Sequence, residues 1–318
     1  MPSHKKFGYL AGILAGLSFG SIPVISAIMR NLGVSSIEQT FIRIFLGSIF
    51  GISVVLLYSL KKRHIIKKTL KRDLQGIYLF QGIIFVLMIL AYLSSVALNT
   101  PVGEAALLVQ MHPFITLLVG WRFLDEQITK RKIFAIGLAI SGLILLTEPW
   151  SWKEFLSNIS GDLFALINGF LYAIYLLVGR AHSEKRKHIP YFLSISFVLV
   201  WSIIVAIPLL FLFSFLPFPQ SLVSFSLLNL LNVDVIWIGI FFAIFGSIIP
   251  YGLIMVALKE AESSKTSILL LGEPVSAMIL AFIILNEIIT MWYIIGGSLI
   301  IIAVIVIVLS KDRRSNQA

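Results

Sequence analysis
The chain is a succession of long apolar runs separated by short polar segments. The runs cover roughly 7–29, 36–58, 75–97, 102–122, 132–149, 161–180, 190–214, 235–257, 265–285 and 290–310. A helix that crosses the hydrocarbon core of a bilayer needs about 20 mostly apolar residues, and each run is close to that length. They are continuous, whereas a transmembrane barrel would show alternating strands of about 10 residues. The pattern predicts an all-α integral membrane protein with ten transmembrane helices. The first run follows Lys5 and Lys6. It is too long for the apolar part of a secretory leader and lacks an A-x-A site, so it is expected to remain as the first helix.

Composition agrees with lipid as the solvent. The chain is 58% hydrophobic and 13% charged, whereas a soluble domain carries about 25% charge. It has no cysteine, which removes disulfides, thiolate catalysis and cysteine metal sites. The net charge of +10 raises the question of nucleic acid, and the placement of the charges answers it. If both termini are cytoplasmic, 22 of the 25 Lys and Arg residues fall in inner segments. The acids show no such bias, which is the topogenic pattern of a membrane protein. The expected setting is the plasma (cell) membrane, with no nucleic-acid partner. The basic loop 61–73 faces anionic lipid, at about 1 kcal/mol per base near the surface.

Two blocks of the chain repeat at an offset of 161 residues. Pro113, Leu124, Glu126, Ile128, Thr129 and Ile133 fall on Pro274, Leu285, Glu287, Ile289, Thr290 and Ile294. A weaker match joins Gly8, Leu10, Gly16 and Phe19 to Gly161, Leu163, Gly169 and Tyr172. Ten helices therefore divide into two five-helix halves, 1–149 and 150–318. An odd number per half makes the second half enter the membrane from the opposite side, an inverted repeat around a central cavity.

The paired prolines point to that cavity. At 1.5 Å per residue, His112-Pro113 and Glu273-Pro274 lie near the midplane of the fourth and ninth runs. Each proline is a helix break that frees the carbonyl four residues back, at Val109 and Leu270. Broken helices at corresponding places in two halves are a pointer to a transporter's binding site. A carboxylate at that depth should face the bundle interior, so Glu273 is a candidate for substrate binding or proton coupling. His112 is a natural proton carrier, or else a helix–helix hydrogen-bond partner, and Gln110 is a further polar candidate nearby. Arg43, inside the second run, either snorkels outward, pairs with Glu38 or meets a substrate carboxylate. Tyr172, Tyr175, Asn168, Gln81 and Tyr251 are candidate cavity walls. Glu126 and Glu287 lie at opposite membrane faces, where the fourth and ninth runs end, and read as structural residues at the turn into the next helix, with gating the other option.

Catalytic signatures are missing: there is no H-E-x-x-H, G-x-S-x-G or Walker A sequence. His112 and Glu273 alone lack a third metal ligand. No enzyme activity, metal or cofactor is expected, and no nucleotide-hydrolysing module is present to drive pumping. The rival class is a membrane-embedded enzyme or a non-transporting scaffold.

The stretches Ala97-Leu98-Asn99-Thr100-Pro101 through Gly142 and Ala257-Leu258 through Gly297 have a common order: a small-residue entry, a midplane proline, an acidic turn and a glycine-containing final helix. With Phe41-Ile42-Arg43-Ile44-Phe45, they resemble the EamA-like ten-helix transporters of the drug/metabolite transporter superfamily. The resemblance covers nearly the whole chain. It implies two five-helix repeats, a cavity lined by helices one, three, four, six, eight and nine, and alternating access. It also implies export of amino acids or related small polar metabolites, with protons as a coupling partner to be tested. Multidrug or organic-cation efflux is the alternative within the family. The multidrug relatives carry an acid in the first helix and the sugar-phosphate carriers carry membrane lysines; this chain has neither within its spans.

Overall fold
The computed structural model of the chain describes residues 3–98, 108–147, 150, 159–286 and 288–309. Among them there is no strand. The helices are α1 (Ser3–Phe19), α2 (Ser21–Asn31), α3 (Ser36–Lys61), α4 (Arg63–Thr69), α5 (Arg72–Ala97), α6 (His112–Leu124), α7 (Lys130–Thr147) and α8 (Ile159–Ala181). They continue with α9 (Tyr191–Phe213), α10 (Gln220–Val223), α11 (Leu227–Leu231), α12 (Val233–Ala243), α13 (Ile249–Glu260), α14 (Ser263–Leu269), α15 (Gly272–Leu285) and α16 (Met291–Val308).

Among the described residues, eight helical stretches are long and apolar enough to cross a bilayer: Lys6–Asn31, Ser36–Lys61, Arg72–Ala97, Ile159–Ala181, Tyr191–Phe213, Val233–Glu260, Ser263–Leu285 and Met291–Val308. The fourth and fifth expected runs correspond to α6 and α7. α6 has only 13 residues, and residues 99–107 before it lie outside the described residues. α7 has 18 residues but opens on three bases, Lys130, Arg131 and Lys132. Large apolar side chains such as Leu212, Phe211, Phe241 and Ile283 are exposed along these helices. Apolar cover this extensive calls for lipid.

Several long runs are broken in the middle. α1 and α2 meet at Gly20, α14 and α15 at Leu270-Leu271, and α12 passes into α13 through a π-helical turn, Ile244–Ile248. Such breaks are tolerated in a membrane only where protein or a water-lined cavity takes up the freed backbone groups. The Leu270 carbonyl, which Pro274 cannot serve, accepts from the Glu273 N–H at 3.0 Å. It also lies against α1, where a side chain at Gly16 would stand 2.8 Å from the Leu270 oxygen. The same contact recurs elsewhere: a side chain at Gly169 of α8 would stand 2.7 Å from the Val109 oxygen. Both glycines permit a backbone approach that no larger residue allows.

The turns after α6 and α15 also match. Asp125 and Asn286 end these helices in the left-handed conformation, at φ 52° and 55°. Asp and Asn visit that region more readily than other non-glycine residues. Thr129 and Thr290 then cap the next helices, accepting from Lys132 N and Tyr293 N at 3.3 Å each. In lipid, where apolar burial gives helices little reason to associate, packing and interhelical hydrogen bonds hold the bundle. The main helix pairs are α7 with α16, α5 with α8, α3 with α9, and α1 with α13; α1 also packs on α15, and α6 on α8 and α14.

Candidate functional site
A cavity inside the bundle is walled by Phe19, Ile22, Arg43, Met88, Ile89, Tyr92, Val109, Asn168, Tyr172, Tyr251 and Glu273. These residues come from α1, α2, α3, α5, α8, α13, α15 and the segment before α6. α3, which covers the second run and is not among the helices that the family resemblance implies, contributes Arg43. The cavity volume is about 30 Å³, room for a water or two but not for a metabolite.

Arg43 is buried, so it does not snorkel. Nor does it pair with Glu38. That carboxylate closes the start of α3 by accepting from Ser35 N at 2.7 Å. It also ties down the loop before α12, accepting from Ser226 N at 2.6 Å and from Asn229 Nδ2 at 3.1 and 3.2 Å. The guanidinium of Arg43 turns instead to the π-helical turn. It donates through Nε to Ser247 Oγ at 2.8 Å, donates through Nη2 to the Gly246 carbonyl, and lies 5.0 Å from the centre of the Phe242 ring. The Gly246 carbonyl is available because Pro250, four residues on, has no N–H to give it. Sequence reasoning passed over Gly246 and Ser247, although Pro250 was a visible sign of a break.

Glu273 is half-buried at the cavity wall. Its described hydrogen bond to another side chain is a long one, from Gln110 Nε2 to Oε2 at 3.4 Å. The Gln110 Oε1 meets His112 Nε2 at 3.0 Å. Glu273 and His112 are thus linked through one amide across the two repeat blocks. His112 packs on Tyr172, with ring centres 4.5 Å apart, and its Nδ1 has no hydrogen-bond partner. His112 and Gln110 stand behind the wall and do not line it. Among the described residues, no ion pair joins Arg43 to Glu273, although both face the same space.

The aromatic candidates divide into two sets. Tyr172 and Tyr251 line the cavity with Phe19, which meets Tyr251 edge-on at 5.0 Å and Tyr172 at 6.0 Å. Tyr175 lies behind them, 5.2 Å from Tyr251 and 6.4 Å from Phe85. The hydroxyls of Tyr172 and Tyr175 have no partner. Asn168 lines the wall while giving its Nδ2 to the Met88 carbonyl at 2.6 Å. Gln81 lies elsewhere, with its Oε1 accepting from Arg186 Nη1 at 2.9 Å.

Glu126 lies outside this cavity and has a full set of partners. Its Oε1 accepts from Ser263 N and Ser263 Oγ, both at 2.6 Å. Its Oε2 accepts from Ser264 N at 3.1 Å and Ser264 Oγ at 2.5 Å. Glu126 therefore sits at the start of α14, from the other half of the chain, and not at the start of α7, the next helix. Lys132 seals the same joint, reaching Glu262 Oε2 at 2.7 Å, Gln127 O at 2.8 Å and Ser264 Oγ at 2.8 Å. Glu287 lies outside the described residues.

Several relatives are transporters by name. The chain is 23% identical over 301 residues to an uncharacterized transporter of Archaeoglobus fulgidus, covering 95% of this chain and 96% of that protein. It is 25% identical to the pseudopaline exporter CntI of Pseudomonas aeruginosa, over 64% of this chain and 66% of the exporter. It is 26% identical to a probable amino-acid metabolite efflux pump of Salmonella typhimurium, over 65% and 67%. A solved crystal structure shares the fold at a TM-score of 0.73 and 15% identity, covering 98% of this chain and 99% of the other. The EamA-like transporter family matches twice, at residues 6–148 and 159–309. With two copies of the family's unit spanning nearly its whole length, this chain belongs to the EamA-like transporter family, whose members are multi-pass membrane transporters.

Proposed function
We propose that the protein is a secondary transporter that exports a small zwitterionic metabolite, an amino acid or a close relative, across the cell membrane by alternating access. The observation that carries this reading is the pair Arg43 and Glu273. A buried cation and a half-buried carboxylate face one cavity without forming an ion pair. An unpaired intramembrane charge is costly and is retained for function. Arg43 would take the substrate carboxylate and Glu273 its amine, with Tyr172, Tyr251 and Asn168 as walls and Tyr175 behind them. The two named exporters among the relatives support export, and the amino-acid metabolite efflux pump supports this substrate class.

The mechanism is a rocking of two inverted five-helix halves, 1–149 and 150–318, with ten spans and both termini cytoplasmic. Three features support the symmetry. The helix caps at Asp125 and Thr129 recur 161 residues on, at Asn286 and Thr290. The glycine–carbonyl contact of Gly16 with Leu270 recurs as Gly169 with Val109. Exchanging the halves maps the pairing of α1 with α13 onto that of α8 with α5, and α1 with α15 onto α8 with α6. The seal formed by Glu126, Lys132 and the start of α14 would be the inner gate. The Glu273–Gln110–His112 chain offers a path for a coupling proton.

An organic cation is the second reading, favoured by the aromatic wall beside Glu273. Uptake by proteoliposomes separates the two, using labelled amino acids and tetraphenylphosphonium, with and without a pH gradient. For a zwitterion carrier, Arg43→Gln and Glu273→Gln each abolish amino-acid uptake. For a cation carrier, Arg43→Gln spares tetraphenylphosphonium uptake. Full amino-acid transport with unchanged pH dependence in Glu273→Gln would falsify the central assignment.

A further inference from the structure
A second recess lies where the end of α8, the turn at Glu184–Arg186 and the end of α13 meet. Gly179, Ser183, Arg186, Tyr191, Ser194 and Lys259 are among its walls. The charged residues among its walls are both basic, Arg186 and Lys259, while Glu260 and Glu184 act on Lys259 from outside the walls. Arg186 is buried, yet all its described partners are neutral: Gln81 Oε1 at 2.9 Å, Gly179 O at 2.7 Å, Met255 Sδ at 3.2 Å and His182 O at 3.4 Å. Burial pushes its guanidinium below the ordinary arginine value. Lys259 gives its ammonium to the Lys187 carbonyl at 2.7 Å and to the face of Tyr191 at 4.6 Å. Arg180 donates to Leu258 O and Lys259 O at 3.0 and 3.3 Å. Among the described residues, no carboxylate lies within ion-pair distance of Arg180, Arg186 or Lys259. Lys132 provides the contrast. It is a buried base with a structural task, and it has Glu262 at 2.7 Å.

The recess adjoins the central cavity through one layer of side chains. Gln81 holds Arg186, and Phe85, one turn along α5, meets Tyr251 at 4.7 Å. Gly179 lines the recess, and Tyr175, one turn back along α8, meets the same Tyr251 at 5.2 Å. Two buried polar groups in this layer lack partners, the Gln81 Nε2 and the Tyr175 hydroxyl.

We propose that this recess is an oxyanion-recognition vestibule that captures the carboxylate of a small solute before it enters the central cavity. A carboxylate would displace weak neutral acceptors from Arg186, because charge-assisted hydrogen bonds are roughly twice as strong as neutral ones. Losing Arg186 would free Gln81 from its tie to the 184–186 turn and loosen the layer between recess and cavity. Onward passage of the solute rests on the transporter reading; the capture step does not, and it can be tested without transport.

The chain has no cysteine, so Ser183→Cys gives a single reporter in the vestibule wall. Its labelling by a methanethiosulfonate sulfonate and by the trimethylammonium reagent of similar size should be timed on full-length protein in phosphatidylcholine nanodiscs. The sulfonate should react roughly tenfold faster, and Arg186→Gln and Lys259→Gln should each reduce that preference. Isovalerate should slow labelling while leucine amide, which lacks the carboxylate, should not; Arg186→Gln should remove the protection. A trimethylammonium reagent that reacts as fast or faster, or labelling that isovalerate leaves unchanged, overturns the proposal. Protection that appears only when phosphatidylglycerol is added, and never with isovalerate, assigns the anion to lipid and overturns the solute. Loss of transport in Glu273→Gln with normal labelling here separates a failure of the central site from a failure of the vestibule.

Discussion
Glu126 and Glu273 are both acids of the repeat blocks, and their surroundings are opposite. Glu126 receives four hydrogen bonds, two from backbone amides and two from hydroxyls, all from Ser263 and Ser264. Glu273 receives one long bond from Gln110. The first arrangement uses every strong acceptor direction of the carboxylate and favours its charge at a helix start. The second leaves most of the carboxylate facing a cavity that contains an arginine. A carboxylate with all its bonds satisfied is a structural part, whereas one left open is available to a ligand or a proton. Depth in the membrane does not make that distinction; the partners do.

The comparison can be broken by substitution, starting with the largest effect. Glu126→Ala strands two amides and two hydroxyls at a buried helix start and should cost about 4 kcal/mol, read as a lower unfolding midpoint in detergent. Lys132→Met removes the partner of the partly exposed Glu262 and should cost about 2 kcal/mol in the same assay. Gln110→Leu cuts the link between His112 and Glu273; the expected loss is about 1 kcal/mol, and any proton coupling should weaken by more than stability does. Glu273→Gln should shift stability by less than about 1 kcal/mol while abolishing transport, the reverse of Glu126→Ala. Tyr175→Phe removes a hydroxyl that has no partner, so stability should stay within about 0.5 kcal/mol. A large loss for Glu273→Gln, or none for Glu126→Ala, would erase the distinction drawn here.

Much of the fold was legible in the chain. The apolar runs located the helices because lipid permits little else to span it. The proline pair marked breaks that the helices do show near residues 110 and 270. The glycine match at Gly16 and Gly169 marked the repeat, and the structure sets each glycine against a backbone carbonyl, of Leu270 and Val109. The breaks at Gly20 and at the π-helical turn were missed. The first has only a glycine to announce it, and the second only Pro250, just beyond the turn. Among the candidate residues, Arg43, Asn168, Tyr172, Tyr251 and Glu273 gather at one cavity, and Gln81 and Tyr175 do not line it. All seven are polar residues within apolar runs, so sequence alone had no means of ordering them.

What the sequence determined by itself is the class: a helical membrane protein of duplicated halves, fixed by apolar length, base placement and a repeat offset. These are properties read along one dimension. What only the tertiary structure decided is pairing: Arg43 with Gly246 and Ser247, Glu38 with the loop before α12, Glu126 with α14, and Arg186 with Gln81. Each partner lies about 100 or more residues away. The chemistry of a buried charge depends on which groups the fold brings within about 3 Å of it, and no local pattern encodes that.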